Sequence, residues 1–228
     1  MSRYLKLFTL TFILILLVKV FIPKPKKNID FLNSFWSNKY HATNTFDIVA
    51  CGDSRIFRGL SSDLINPIWN NLSFLNFGFS SIGLSNDYLN LSLSKFNPLT
   101  KNKVLIVGVT PHSLTDEAFK NLILEEYNEI KLFDQFRYRY FSSISKLIYR
   151  IKPTELLKFK KNNYLERYNN NGWVASDKII QDSTWALKSY GKTFNKYGVH
   201  KKQMVSFLES INRISKSGIP VSYTHLRA

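Results

Sequence analysis

Three short apolar runs, each followed by a polar turn and a stretch of helical character, limit this chain more than any other feature. They occupy residues 46–51, 72–77 and 103–109. The third, Lys103-Val104-Leu105-Ile106-Val107-Gly108-Val109, is rich in β-branched residues and is the clearest buried strand. Runs of this length without polar alternation suit strands covered on both faces. Repeated strand–turn–helix units of this kind predict an α/β fold with a mostly parallel sheet flanked by helices.

The first run, Phe46-Asp47-Ile48-Val49-Ala50-Cys51, breaks at Gly52-Asp53-Ser54-Arg55, and Ile56-Phe57-Arg58 can begin a helix. A strand that turns sharply into a helix places its turn residue at the carboxyl edge of the sheet, where open α/β sheets bind ligands. N–H groups at the helix start favour anionic groups, including a developing oxyanion. A serine there is placed to attack an ester if a base activates it. Gly, Asp and Ser are equally ordinary turn residues, so the tripeptide by itself is also plain turn chemistry.

The chain has 228 residues, 44% apolar and 15% aromatic, enough for one folded domain with a sizeable core. Lys and Arg number 32 against 16 Asp and Glu, a net charge of +16. Such an excess suits an anionic membrane surface, an acidic polymer or a nucleic acid. No zinc-finger or RNA-recognition signature is present, so nucleic acid is not the expected partner. Residues 4–22, YLKLFTLTFILILLVKVFI, form an apolar segment of near-spanning length with Lys6 and Lys19 near its ends. Pro23-Lys24-Pro25-Lys26-Lys27 follows at once without a small-residue cleavage site, which predicts an uncleaved signal-anchor over residues 1–27. The expected topology is a single-pass membrane protein with a short cytoplasmic amino terminus and its domain outside the cytoplasm. Residues 28–45 read as a stalk or loosely packed helix. Cys51 is the only cysteine, so neither a disulfide framework nor a thiol metal site is expected.

Further along, Ser61-Ser62-Asp63 can cap a short helix, and a helical segment runs over residues 84–96. Residues 131–170 read as a basic helical insertion. From Arg137 to Lys161 it carries eight Lys and Arg against Glu155 alone, interleaved with aromatic residues. It is either a surface for lipid headgroups or an anionic envelope polymer, or a solvated basic face. Asn169-Asn170-Asn171-Gly172 is a turn, and Trp173 either covers a site or fills the core. Residues 202–216 have helical spacing, with Met204, Val205, Leu208, Ile211 and Ile214 on one side, and Ile219-Pro220-Val221 begins a further parallel strand.

At its three strand ends the chain resembles the SGNH (GDSL-like) hydrolases, over roughly residues 47–220. Gly52-Asp53-Ser54 matches the family's first block, Asn76-Phe77-Gly78 the second, and Gly108-Val109-Thr110-Pro111 stands at the third, Gly-x-Asn-Asp. The resemblance implies a flavodoxin-like three-layer fold over residues 46–221, with Ser54 as nucleophile and the N–H groups of Ser54 and Gly78 as oxyanion donors. Gly52 and Asp53 would shape the turn. Thr110 stands where the family has asparagine and offers a single hydroxyl donor of shorter reach. With this altered block the chain is most similar to the membrane-anchored branch, which includes proteins of surface-polymer O-acylation and teichoic-acid D-alanylation. No cofactor or metal is implied.

The family's base lies in a late Asp-x-x-His block. The histidines here are His41, His112, His200 and His225, and none stands three residues after an Asp. His112 follows the third strand and can approach Ser54, but no orienting carboxylate is evident. Residues 221–228, VSYTHLRA, resemble a translated transposase sequencing adapter. The natural sequence is therefore expected to end near Pro220 or Val221, with the domain truncated before its last strand, its Asp-x-x-His block and its final helix. The expected function is a serine esterase or O-acyltransferase acting on acyl esters of envelope glycans or polymers, inactive as truncated. The alternative is a non-catalytic membrane-anchored envelope protein that uses the fold for binding or scaffolding.

Overall fold

The computed structural model describes residues 3–21, 29–43, 45–65, 67–69, 72–149, 164–178 and 183–225. Strands β1 (Ile48–Gly52), β2 (Phe74–Asn76) and β3 (Val104–Val109) form at the three apolar runs. Strands β4 (Tyr164–Tyr168) and β5 (Val174–Lys178) make a separate antiparallel hairpin, and β6 (Val221–His225) pairs with β3. The main sheet has the order β2-β1-β3-β6 with every pair parallel. The chain moves from β1 outward to β2, then returns across β1 to β3. This reversal makes the carboxyl ends of β1 and β3 the topological switch point, where open α/β sheets leave a crevice for ligands.

The α-helices among the described residues are α1 (Arg3–Phe21), α2 (Ile29–Tyr40), α3 (Ser54–Gly59), α4 (Ser62–Ile65), α5 (Asn86–Leu93), α6 (Asp116–Phe119), α7 (Ile123–Asn128), α8 (Leu132–Tyr149), α9 (Ser183–Lys196) and α10 (Lys201–Lys216). Residues fall into two compact units, one of Met1–Ser34 with Leu132–Lys160, the other of Phe35–Lys131 with Lys161–Ala228. The second unit contains the whole sheet.

Both faces of β1, β2 and β3 are covered, as their largely apolar sequences require, whereas Ser222 and Tyr223 of the edge strand β6 are exposed. On one face Val49, Cys51, Leu75, Leu105 and Val107 pack against Tyr88 and Leu89 of α5 and Phe207, Ile211 and Ile214 of α10. On the other, Ile48, Ala50, Phe74 and Ile106 pack against Ile56 of α3, with Leu60, Ile65 and Trp69 at the margin. The expected α/β class with a parallel sheet flanked by helices is therefore observed. At α10 the expectation is half right. Ile211 and Ile214 are buried, but Phe207 and Ser210 complete that face, while Met204, Val205 and Leu208 are exposed. Positions 207, 211 and 214 follow the helical period, and choosing 204 and 208 instead rotates the stripe toward solvent.

Residues 28–45, read as a stalk or loose helix, include α2, and from Phe35 onward this helix is integral to the sheet unit. Trp36 and Tyr40 pack against the main core, and Ser37 and Lys39 are buried. In the predicted insertion α8 is helical, residues 150–163 lie outside the described residues, and residues 164–168 form β4 where helix was expected. The predicted membrane segment is helical over Arg3–Phe21, and its end at Ile22 lies outside the described residues. Among the described residues, no helix is long and apolar enough to cross a membrane. Of residues 221–228, the first five are β6, in register from Leu105↔Val221 to Val109↔His225.

Candidate functional site

Gly52 ends β1 at φ +149°, a conformation that strains any residue with a Cβ. Its register partner is Gly108. A Cβ on Gly52 would stand 2.7 Å from Ile56 Cγ1 and 2.8 Å from the Gly108 carbonyl oxygen. The paired glycines thus leave a notch that Ile56 fills, letting α3 start directly on the sheet. Gly52→Ala is expected to destabilise the protein by about 2 kcal/mol, through both strain and crowding. Thermal unfolding would show this as a fall in Tm of roughly 4–8 °C; an unchanged Tm would refute the tight approach.

Asp53 then caps α3. Its Oδ1 accepts the Arg55 N–H at 3.0 Å, and its Oδ2 accepts the Thr110 hydroxyl at 2.7 Å. The Arg55 guanidinium lies 3.6 Å from Oδ2. The Thr110 Oγ1 also accepts the Ser113 N–H at 3.1 Å, while Ser113 Oγ donates to the Thr110 carbonyl at 2.8 Å. Asp53 and Thr110 are only 4% and 1% exposed, so their side chains act as a latch across the switch point rather than as groups open to a ligand.

Ser54 is the first residue of α3 and is half-buried. Among the described residues its hydroxyl makes no hydrogen bond. Its N–H belongs to the first turn, whose donors an α-helix leaves without intrahelical partners. Gly78 stands close by, since a Cβ there would lie 2.8 Å from Phe57 N and 3.1 Å from the Asp53 carbonyl oxygen. The structure therefore brings Gly52, Asp53, Ser54, Gly78 and Thr110 together at one sheet edge.

It also gives the expected oxyanion donors other partners. The Gly78 N–H donates to Asn76 Oδ1 at 3.2 Å, and the Thr110 hydroxyl is held by Asp53. His112 opens the 3-10 turn after β3, at the same edge, half-buried. Its ring makes no hydrogen bond or ion pair among the described residues. His225 ends β6 opposite Val109, within the strand rather than on a loop beyond it. No side chain among the described residues is within hydrogen-bonding reach of the Ser54 hydroxyl to take its proton. Nor do three or more His, Cys, Asp or Glu side chains among them gather to hold a metal ion.

Several residues that build this edge carry no motif. Asn76 donates from Nδ2 to the carbonyls of Ile56 and Leu60, each at 2.8 Å, tying the end of α3 to β2. Its backbone N–H donates to the Asn171 carbonyl at 2.8 Å, docking the β4–β5 turn on the sheet's edge strand. The Tyr88 hydroxyl accepts the Gly52 N–H at 3.0 Å and donates to the Phe77 carbonyl at 2.6 Å. Burial pushes the Tyr88 phenol well above its ordinary pKa and the Cys51 thiol up to about 12, so both stay protonated. Cys51 is packing.

Lys39 was not foreseen at all. Only 4% exposed, it donates to the carbonyls of Gly78 at 2.5 Å and Gly172 at 2.9 Å. Rings of Phe35, Trp36, Phe57 and Phe79 surround the ammonium, their centroids 5.0 to 5.8 Å away. Among the described residues no carboxylate balances it, and burial holds its pKa well below the ordinary lysine value. The available signal was a lysine at helical spacing from Phe35 and Trp36, which places it on an aromatic face. Trp173 neither fills the core nor lies free: half-buried, its indole N–H donates to the Arg58 carbonyl at 3.0 Å.

Comparison with protein-family models, with curated proteins and with solved structures finds no match.

Proposed function

We propose that this protein is an SGNH-like serine esterase or O-acyltransferase of the cell envelope, acting on acyl esters of glycans or other polymers. The observation that carries the proposal is Ser54 at the start of α3, at the β1/β3 switch point, with its hydroxyl unengaged among the described residues. In this reaction Ser54 Oγ attacks the acyl carbonyl and the alcohol leaves with the proton taken from the serine. The acyl group then passes from Ser54 to water or to a polymer hydroxyl. The Ser54 N–H faces the developing oxyanion, and the Gly78 N–H joins it by releasing Asn76 Oδ1. Asp53 shapes the turn and is not the triad acid. The proposed location is at a membrane through the amino-terminal helix, with the domain outside the cytoplasm. Exposure of the α1 side chains from Tyr4 to Phe8 and at Leu10, Phe12, Ile13 and Leu14 supports lipid contact, with Lys6 an ordinary snorkelling residue.

A second class is favoured by a specific observation. Two of the three expected oxyanion donors are engaged internally and, among the described residues, no base reaches Ser54, as in a protein that keeps the fold for binding or scaffolding. Applied to the protein expressed from its uninterrupted source gene, a fluorophosphonate probe and a p-nitrophenyl ester distinguish the two. The enzyme reading expects labelling at Ser54 and ester turnover that Ser54→Ala abolishes. Folded wild-type protein that neither labels nor turns over ester selects the binding module, and turnover surviving in Ser54→Ala removes Ser54 from the chemistry.

A further inference from the structure

The unit formed by residues 1–34 and 132–160 contains α8, whose exposed face is largely aromatic. Leu132 is 82% exposed, Phe133 75%, Phe136 54%, Tyr140 60% and Phe141 46%. Leu132, Phe136 and Tyr140 are spaced four apart and so lie in one line along the helix, with Phe133 beside them. The rings of Phe136 and Tyr140 are 4.8 Å apart, and those of Phe136 and Phe141 5.9 Å, so these side chains are gathered into a patch. Arg137 is drawn toward Asp134 at 3.3 Å, and Arg139 falls at the patch margin on the helical period. The surrounding sequence, from Arg137 to Lys161, has eight cationic residues and one acidic one.

We infer that α8 lies in the surface of an anionic lipid bilayer, its Leu132–Phe133–Phe136–Tyr140 face inserted at the headgroup boundary and its flanking arginines on lipid phosphates. An amphipathic helix with aromatic and leucine side chains on one face and cations beside them is built for that interface. A polyanion in water would engage the arginines but leave the apolar patch hydrated, so it accounts for half of the observation. A bilayer accounts for both halves. The inference rests on membrane location and is independent of any chemistry at Ser54.

The test uses the full chain with Phe136→Cys labelled with an environment-sensitive nitrobenzoxadiazole dye; Cys51 is buried and stays unlabelled. A parallel Leu10→Cys sample reports on α1. With vesicles containing phosphatidylglycerol, the label at 136 is expected to shift its emission to the blue. The shift should be much smaller with phosphatidylcholine alone, and should fade in about 1 M salt, where screening acts within ~3 Å. Arg139→Glu should weaken insertion at 136 by roughly 30-fold, as expected for reversing one charge at an anionic surface. A shift at 10 without one at 136 overturns this inference while leaving membrane association standing, and no shift at either position overturns both. An equal shift in neutral vesicles, or one produced by soluble polyphosphate instead, also overturns it.

Discussion

Asn76→Ala is expected to destabilise the protein by about 3–5 kcal/mol, a large share of the roughly 5–15 kcal/mol that separates folded from unfolded domains. The substitution removes almost no apolar surface, so ordinary burial arithmetic would rate it harmless. Its effect comes from what it leaves behind. The Leu60 carbonyl and the Gly78 N–H lose their Asn76 partners, and the Ile56 carbonyl keeps only the Leu60 N–H at 3.1 Å. Asn76 is fully buried, so water does not replace these bonds without opening the packing of α3 against β2. Urea unfolding measures it directly: the midpoint should fall with little change in slope. A loss below about 1 kcal/mol would mean that these groups find other partners and that α3 is not held by this side chain. Asn76→Asp is the sharper companion, because it keeps the shape and the Gly78 contact but loses both donors.

Lys39→Met is expected to lose about 2–4 kcal/mol, although it removes a buried amine whose charged form burial disfavours. Two effects compete. Relief of desolvation favours methionine, which fills a similar volume. Against it, the carbonyls of Gly78 and Gly172 lose their donor, and four rings lose a cation. Two buried acceptors without partners outweigh the relief.

The pH dependence separates these effects. Lys39 has a folded pKa held well below 10.5, and Lys95, which donates to the Tyr40 carbonyl at the end of α2, is lowered to about 8. Below its folded pKa each lysine is charged in both states. Between that value and 10.5 the unfolded chain binds more protons, so stability rises with pH across the window. Wild-type protein should therefore gain stability from about pH 8 to pH 9.5, because the two lysines outweigh the one opposing group in that window, the Cys51 thiol raised to about 12, and the buried tyrosines oppose the trend only at higher pH. Lys39→Met should gain less, so its deficit widens as pH rises. Parallel pH profiles for the two proteins would show that Lys39 is not the buried, unbalanced cation described.

The sheet was legible because its evidence is local. Residues 46–51, 72–77 and 103–109 are largely apolar without regular alternation, a pattern that suits a short strand covered on both faces. The convergence of Ser54, Gly78 and Thr110 followed from the same pattern, since successive parallel strands bring their carboxyl ends to one edge. What was not legible was how each polar group would be satisfied. Thr110 and Asp53 are separated by more than fifty residues, and nothing in either motif says that the hydroxyl faces the carboxylate rather than a substrate. Lys39 looked like one more cation of a basic chain. Its burial depends on Phe57, Phe79 and the Gly172 turn, three segments far apart in sequence. At α10 the period was read correctly and the phase was not, because apolar residues lie on more than one face and only the sheet selects among them.

The sheet's connectivity also bears on the order in which it assembles. β1, β2 and β3 lie within residues 48–109, whereas β6 begins at Val221 and pairs with β3 across more than a hundred residues. Closing the longer loop carries the greater entropy penalty, and a chain emerging vectorially presents the first three strands well before the last. The Asp53–Thr110 latch and the Asn76 tie both belong to that early segment. The edge that carries Ser54 is thus built from short-range topology, and β6 docks onto a template whose polar contacts are already set.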